Sequence, residues 1–214
     1  MDREKLFKDA QDIIIKCDND RVEEVAKLAL SEGIEPLEMI NEGFRVGITK
    51  MGDLFERGEV FLPELIQSAE VMKKATDILM ESLPKGIDTK RGTVVIGTVQ
   101  GDIHDIGKIL VVTMLQANSF EVFDLGHDVE TEMFIEKAKE TNADIIGTSS
   151  LLTTTMKYQK ELEDELKKSG LKGKFKTIVG GAPVTQRWAD RIGADAYAEN
   201  ASTAVREVQS LMGS

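Results

Sequence analysis

Hydrophobic positions recur at three and four residues through the first 84 residues. Leu6, Phe7, Ala10, Ile13 and Ile14 predict one helix. Val22, Val25, Ala26, Leu28 and Ala29 predict a second, opened by Asp20 with Glu23 three residues on as a capping box and stopped by Gly33. Pro36 suits the first turn of a third through Leu37, Ile40, Phe44, Ile48, Met51 and Phe55, which Gly58 ends. Pro63 opens a fourth through Leu65, Ile66, Ala69, Met72, Ala75, Ile78 and Leu79. Short connections between four such helices predict a small antiparallel bundle over 1–84. Residues 85–91 are polar, contain glycine and show no period, which marks a linker and a place for a hinge.

From residue 92 the pattern changes. Apolar, β-branched runs at 93–99, 120–125, 144–148, 175–179 and 194–198 alternate with helical stretches at 106–116, 131–140, 154–168, 185–191 and 201–211. Five βα units predict a parallel sheet covered on both faces with right-handed crossovers. The fold class is therefore α/β, a helical bundle followed by a five-stranded parallel-sheet domain. Loops after the first, third and fourth strands fall at one edge of such a sheet, where ligands bind.

Composition narrows the function classes. The net charge of −11 argues against nucleic acid, whose phosphates need clustered Lys and Arg. The charge is uneven, with 11 basic against 19 acidic residues before position 85 and 16 against 19 after it, so the first part could steer a basic partner. No apolar run approaches the roughly 20 residues that span a bilayer, and the charged start lacks the apolar core of a signal peptide. A single cysteine, Cys17, excludes an internal disulfide framework and fits a reducing, cytoplasmic setting. Its helical spacing among Ile13, Ile14 and Val22 reads as a packed thiol rather than a nucleophile.

The loop after the first strand, Gly101-Asp102-Ile103-His104-Asp105-Ile106-Gly107-Lys108, holds one of only two histidines. With Asp102 two positions before it and Asp105 next to it, His104 can have one ring nitrogen held by a carboxylate and present the other as a metal ligand or general base. A loop histidine bonded to backbone is an equal alternative on these residues alone. The segment has neither Gly-x-Gly-x-x-Gly nor Gly-Lys-Ser/Thr, so dinucleotide and nucleoside-triphosphate loops are unsupported. One Cys and two His are too few for a structural zinc site, and a receiver-like phosphorylation site would want an acidic cluster where His104 stands.

Asp102-x-His104-x-x-Gly107, then Ser149-x-Leu151 after the third strand and Gly180-Gly181 after the fourth, resemble the signature of the cobalamin-binding domains of methionine synthase and of corrinoid proteins in methyltransferase systems. The likeness covers essentially the whole chain, and Leu151-Leu152-Thr153-Thr154-Thr155-Met156 looks closest to the methylamine and betaine group. The resemblance implies a Rossmann-like, flavodoxin-like cobalamin-binding domain at 92–214 behind a four-helix cap. His104 would be the lower axial ligand to cobalt, Asp102 would accept from its other nitrogen, and Ser149 would continue that relay. Gly107, Gly147, Gly180 and Gly181 would let the displaced nucleotide tail approach backbone, with Ile106, Leu151, Thr153 and Thr154 in contact with the cofactor. Met51, Phe55 and Leu62 would come from the cap over the opposite face. His127 is read as a plain loop residue, and Trp188 as packing on the sheet's outer face.

In such a family the cofactor is cobalamin or a related corrinoid, cycling between Co(I) and methyl-Co(III). A donor-specific methyltransferase, with a methylamine- or betaine-like donor, loads the methyl group. A second methyltransferase passes it to a thiol or a tetrahydrofolate-type acceptor, and a reductive activation protein rescues oxidised cobalt. Nothing matches the acid, base or substrate pocket of a complete methyltransferase, which fits a carrier. A cobalamin-dependent sensor or regulatory module is the competing class, disfavoured by the acidity and by the lack of a DNA-binding segment before residue 1.

Overall fold

A computed structural model describes residues 3–82 and 90–213. Its contacts divide the chain into two compact units, Met1–Thr89 with Gln116–Asn118, and Lys90–Leu115 with Ser119–Ser214. Of the expected linker at 85–91, residues 85–89 lie outside the described residues. Among those described, no helix is long and apolar enough to cross a membrane.

The first unit is helical: α1 (Arg3–Ile15), α2 (Val22–Ser31), α3 (Pro36–Glu38), a π-helical segment (Met39–Phe44), α4 (Arg45–Glu56) and α5 (Leu62–Glu81). From α3 to α4 the backbone stays helical without a break, so the expected third helix exists, but its period widens where Arg45 N–H reaches back to the Ile40 carbonyl. Periodicity had predicted an unbroken α-helix there. The rod packs closely on α1: a Cβ added at Gly47 would lie 2.8 Å from Ile14 Cβ and 2.9 Å from the Gln11 carbonyl oxygen, and one at Gly43 would lie 3.0 Å from Ala10 Cβ. Leu6, Ala10, Ile13, Ile14, Phe44, Ile48 and Met51 are all buried.

The capping box expected at Asp20 and Glu23 does not form. Residue Arg21 occupies the N-cap of α2 with no side-chain cap, its N–H donates to Asp18 Oδ1 at 3.2 Å, and Glu23 pairs with Lys27 at 2.6 Å. The chain turns earlier, through Cys17 at φ +53°, so the nearest carboxylate acceptor comes from Asp18. Cys17 itself donates to the Glu64 carbonyl at 3.2 Å, and burial followed by the neighbouring Glu64 pushes its thiol pKa up, away from nucleophilic character. At the start of α5 the Glu64 carboxylate accepts from Phe61 N–H at 2.7 Å.

The second unit is a five-stranded parallel sheet of order β2-β1-β3-β4-β5, with β1 (Thr93–Thr98), β2 (Glu121–Asp124), β3 (Ile145–Ser149), β4 (Lys176–Gly180) and β5 (Ala196–Ala198). The helices are α6 (Ile106–Ala117), α7 (Thr131–Glu140), α8 (Met156–Lys168), α9 (Gln186–Ile192) and α10 (Ala201–Leu211). Val95, Ile146, Phe134, Leu162, Leu166 and Phe175 fill a core between sheet, α7 and α8. Trp188 packs against a smaller cluster of Val179, Val184, Ala189 and Ile192, and its Nε1–H donates to Gln159 Oε1 at 3.0 Å. Because the chain leaves β1 toward β2 on one side and reaches β3 on the other, the order reverses between β1 and β3, and a crevice opens at their carboxyl ends.

Candidate functional site

The octet Gly101–108 follows β1 at that crevice, and its centre is the carboxylate of Asp102, which is fully buried. One oxygen, Oδ1, accepts from His104 N–H at 3.1 Å and lies 2.7 Å from His104 Nδ1. The other, Oδ2, accepts from Leu151 N–H at 2.7 Å, Leu152 N–H at 3.2 Å and the Thr155 hydroxyl at 2.9 Å. Burial alone would raise the Asp102 pKa, but the His104 ring, His104 N–H, Leu151 N–H and Thr155 hydroxyl outweigh it and hold the group down to about 2.

The protonation pattern of His104 follows. An ionised carboxylate can only accept, so Nδ1 must carry the hydrogen, and the lone pair of neutral imidazole is left on Nε2. That side chain is 48 % exposed. The Thr98 hydroxyl donates to the His104 carbonyl at 3.0 Å, fixing the backbone beneath the ring. His104 therefore offers one outward, basic nitrogen on a rigid mount.

Around it lies apolar surface that the fold leaves uncovered. Ile103 and Ile106 are 69 % and 71 % exposed, and Leu151 and Leu152, whose N–H groups bind Asp102, are about 40 % exposed. Exposed apolar side chains beside a preformed polar mount are the composition of a binding site for a large, mostly apolar ligand. Gly107 adds room, since nothing lies within 4 Å of a Cβ built there.

Other expected residues divide by what they touch. Ser149 ends β3 and gives its carbonyl to Val99 N–H at 3.0 Å. The hydroxyls linked to Asp102 come instead from Thr155 and, through Thr155 at 2.9 Å, from the fully buried Ser150. This corrects the relay expected from Ser149: past the strand end the chain turns so that Leu151, Leu152 and Thr155 face Asp102, which also delays the start of α8 to Met156. Thr153 and Thr154 are exposed in that turn. A Cβ at Gly147 would meet Ile96 at 3.1 Å and Ile178 at 3.5 Å inside the sheet, and one at Gly180 would meet the Ala198 carbonyl oxygen at 3.1 Å. Gly181, at φ +119°, abuts Ser150 so closely that a Cβ would lie 1.9 Å from its carbonyl oxygen. Among these glycines, Gly107 alone leaves open space.

In the helical unit, Met51 is fully buried and continues the stripe of Phe44 and Ile48, so it belongs to the core, whereas Phe55 and Leu62 are partly exposed. Phe61, beside Leu62, is 72 % exposed. His127 is exposed. Sequence reasoning passed over Thr155, Leu152, Phe61 and two carboxylates of the loop after β2, Asp124 and Asp128; of these only Thr155 and Leu152 stood in a quoted motif.

The chemistry of the donor set suits a metal that brings most of its own ligands. Among the described residues no three of His, Cys, Asp and Glu gather as a metal site, and a single imidazole nitrogen can complete the coordination of an ion held in a macrocycle.

Comparison with known proteins points the same way. Two family models, both described as a B12 binding domain, match residues 92–207 and residues 6–80. Dimethylamine corrinoid protein 2 of Methanosarcina acetivorans is 48 % identical over 211 residues, covering 98 % of this chain and 97 % of that protein. Trimethylamine corrinoid protein 2 of the same organism is 46 % identical over 212 residues, with 98 % of each covered. A cobalamin-binding protein from Desulfitobacterium hafniense DCB-2 superposes with a TM-score of 0.81 at 36 % identity, over 96 % of this chain and 98 % of that one. A chain of the methanol:cobalamin methyltransferase complex MtaBC from Methanosarcina barkeri gives 0.82 at 29 % identity, over 99 % of this chain and 81 % of that one.

Proposed function

Since the chain belongs to the B12-binding corrinoid protein family, we propose that it is the methyl-carrying subunit of a methylamine methyltransferase system. Its cofactor is cobalamin or a related corrinoid. The observation that carries the reading is His104, with Nδ1 on an ionised, buried Asp102 and Nε2 facing out among Ile103, Ile106, Leu151 and Leu152.

When bound, the corrinoid supplies a cobalt centre that accepts and gives up a methyl group. The protein's part is to hold and shield it. Nε2 of His104 takes the lower axial position, and Asp102 keeps the proton on Nδ1, raising the basicity of the ligating nitrogen. The Leu151 and Leu152 N–H groups and Thr155 keep Asp102 in place, so a proton gained or lost there alters how firmly His104 ligates. Ile106, Leu151, Thr153, Thr154 and Gly107 meet the cofactor beside that ligand, and Gly180 and Gly181 shape the wall of its slot. Phe55 and Leu62 supply apolar cover from the helical unit. No general acid, base or substrate pocket is assigned to the chain.

The donor is a methylamine, by the names of the relatives; the second methyltransferase passes the methyl to a thiol or a tetrahydrofolate-type acceptor, and a reductive activation protein restores oxidised cofactor. The test is reconstitution with hydroxocobalamin, reduction, and incubation with dimethylamine or trimethylamine and a methyltransferase specific for each. Coloured protein with imidazole-ligated corrin absorption and methyl uptake from one amine is the expected result. Protein that stays colourless, or that takes a methyl group from neither amine, overturns the proposal.

A further inference from the structure

The loop after β2 grips the octet at both ends. Asp124, the last residue of β2, forms an ion pair with Lys108, and Asp128, four residues on, accepts from Gly101 N–H at 2.6 Å. Gly101 and Lys108 are the first and last residues of the octet. Asp128 N–H also donates to the Asp102 carbonyl at 3.0 Å, and between the two carboxylates the Gly126 carbonyl accepts from Thr98 N–H at 2.9 Å. The segment 124–128 thus runs alongside the octet and binds it at every turn.

Two features of this loop run against local preference. Lys108 is the third residue of α6, where the helix field disfavours a cation, and its side chain is only 1 % exposed; no acidic residue of the first turn of α6 offsets it. Asp128 sits at φ +54°, a left-handed conformation that is costly for a residue with a Cβ. Neither choice helps α6 or the loop by itself. Both make sense as parts of one clamp that reaches across the chain.

Resting on the corrinoid reading above, we propose that Asp124 and Asp128 are positioning residues that hold the octet in the conformation from which His104 can ligate. Asp124 fixes the Lys108 end through charge and Asp128 fixes the Gly101 end through a hydrogen bond. With either end free, the octet is held only at its middle, by Asp102 and Thr98, and samples conformations in which Nε2 is misplaced.

Three variants separate this from a plain stability role. Asp128→Gly removes the carboxylate and tolerates the left-handed backbone. The pair Lys108→Met with Asp124→Asn removes both charges together, leaving no buried ion alone, and Asn keeps the acceptor that Gly126 N–H uses at 2.9 Å. Lys108→Met alone is the third. Amide hydrogen exchange in the ligand-free protein and the fraction of bound hydroxocobalamin with imidazole coordination are measured for each. Exchange over 101–109 is expected to rise about fivefold, with strands β1 and β3 unchanged, and the coordinated fraction to fall by a similar factor. Wild-type exchange over 101–109 in variants that fold overturns the clamp, and so does a wild-type coordinated fraction. If Asp128→Gly fails to fold, the charge-removed pair decides. If the unaltered protein binds no hydroxocobalamin, the functional reading falls, while the exchange result still judges the clamp.

Discussion

The Thr155 hydroxyl donates to Asp102 Oδ2 at 2.9 Å across 53 residues of chain, on the oxygen opposite the one that His104 uses. The start of α8 is thereby tied to the octet after β1. Donors from two distant loops converge on one carboxylate, so its charge is a structural element as much as a tuning device.

Asp102→Asn is expected to lower stability at pH 7 by about 2 kcal/mol, the free energy matching the drop of the Asp102 pKa from 3.8 to about 2. The sign follows from the depressed value: the contribution is complete above the unfolded-state pKa and is lost as pH falls through about 2. Urea unfolding of both proteins at pH 7 and at low pH checks it. The difference between them should shrink as the pH drops below about 4.

The expected relay through Ser149 and the observed one through Thr155 give opposite predictions. Thr155→Val removes a buried hydroxyl from both Asp102 and Ser150 and should cost about 1–3 kcal/mol while weakening imidazole coordination of bound corrinoid. Ser149→Ala should change stability by less than about 0.5 kcal/mol and leave the absorption spectrum alone. Thermal unfolding and the spectrum of reconstituted protein decide between them.

Gly181 and Gly107 should respond to alanine in contrary ways. Gly181→Ala drives a Cβ into the Ser150 carbonyl at 1.9 Å from a left-handed backbone and should cost about 3 kcal/mol or more. Gly107→Ala meets open space in the first turn of α6, so the free protein should keep its stability or gain up to about 1 kcal/mol, yet bind hydroxocobalamin less tightly. Titration with hydroxocobalamin, alongside thermal unfolding, tests the pair.

Glu163 predicts a second pH effect, of opposite sign. It is buried on α8, lies 2.8 Å from Lys172, and shares that lysine with Asp195 at 2.9 Å and the Thr177 hydroxyl at 3.0 Å. Burial first, and then Asp195, raise its pKa, outweighing the help from Lys172 and Thr177. A raised carboxylate pKa means that ionised Glu163 works against the fold, so Glu163→Gln should be the more stable protein at pH 7 to 8. That advantage should fade as the pH falls and wild-type Glu163 takes up its proton. Unfolding free energies over that range test it.

Met51 and Phe55 differ in kind despite lying four residues apart on one rod. Met51→Ala should cost about 2–5 kcal/mol by emptying a core position, whereas Phe55→Ala, at a half-buried site, should cost less and act chiefly on methyl transfer. Unfolding curves and transfer rates for the two variants separate the roles.

Much of this was legible in the chain. Apolar period marked the helices and strands, and the octet stood out because a strand ended in glycines and a histidine flanked by carboxylates. What stayed hidden rests on contacts far apart in sequence. Nothing near Thr155 announces Asp102, and nothing near Asp124 or Asp128 announces Lys108 or Gly101, because those partners meet only once β1, β2 and β3 lie side by side. The capping box at Asp20 failed for a local reason: a left-handed Cys17 moved the turn, and Asp18 took the role. The strands β3 and β4 each end one residue later than their apolar runs, since Ser149 and Gly180 still pair with each other in the ladder.

The widened stretch Met39–Phe44 makes the helical unit sensitive to length rather than to composition. One residue fewer within it would restore an ordinary α-helix and swing everything downstream by about 100° around the axis. Gly47 would then turn away from Ile14 and a bulkier neighbour would take its place, while Phe55 would point in a new direction. Substitutions here leave that phase intact; a single deletion resets it for the whole of α4.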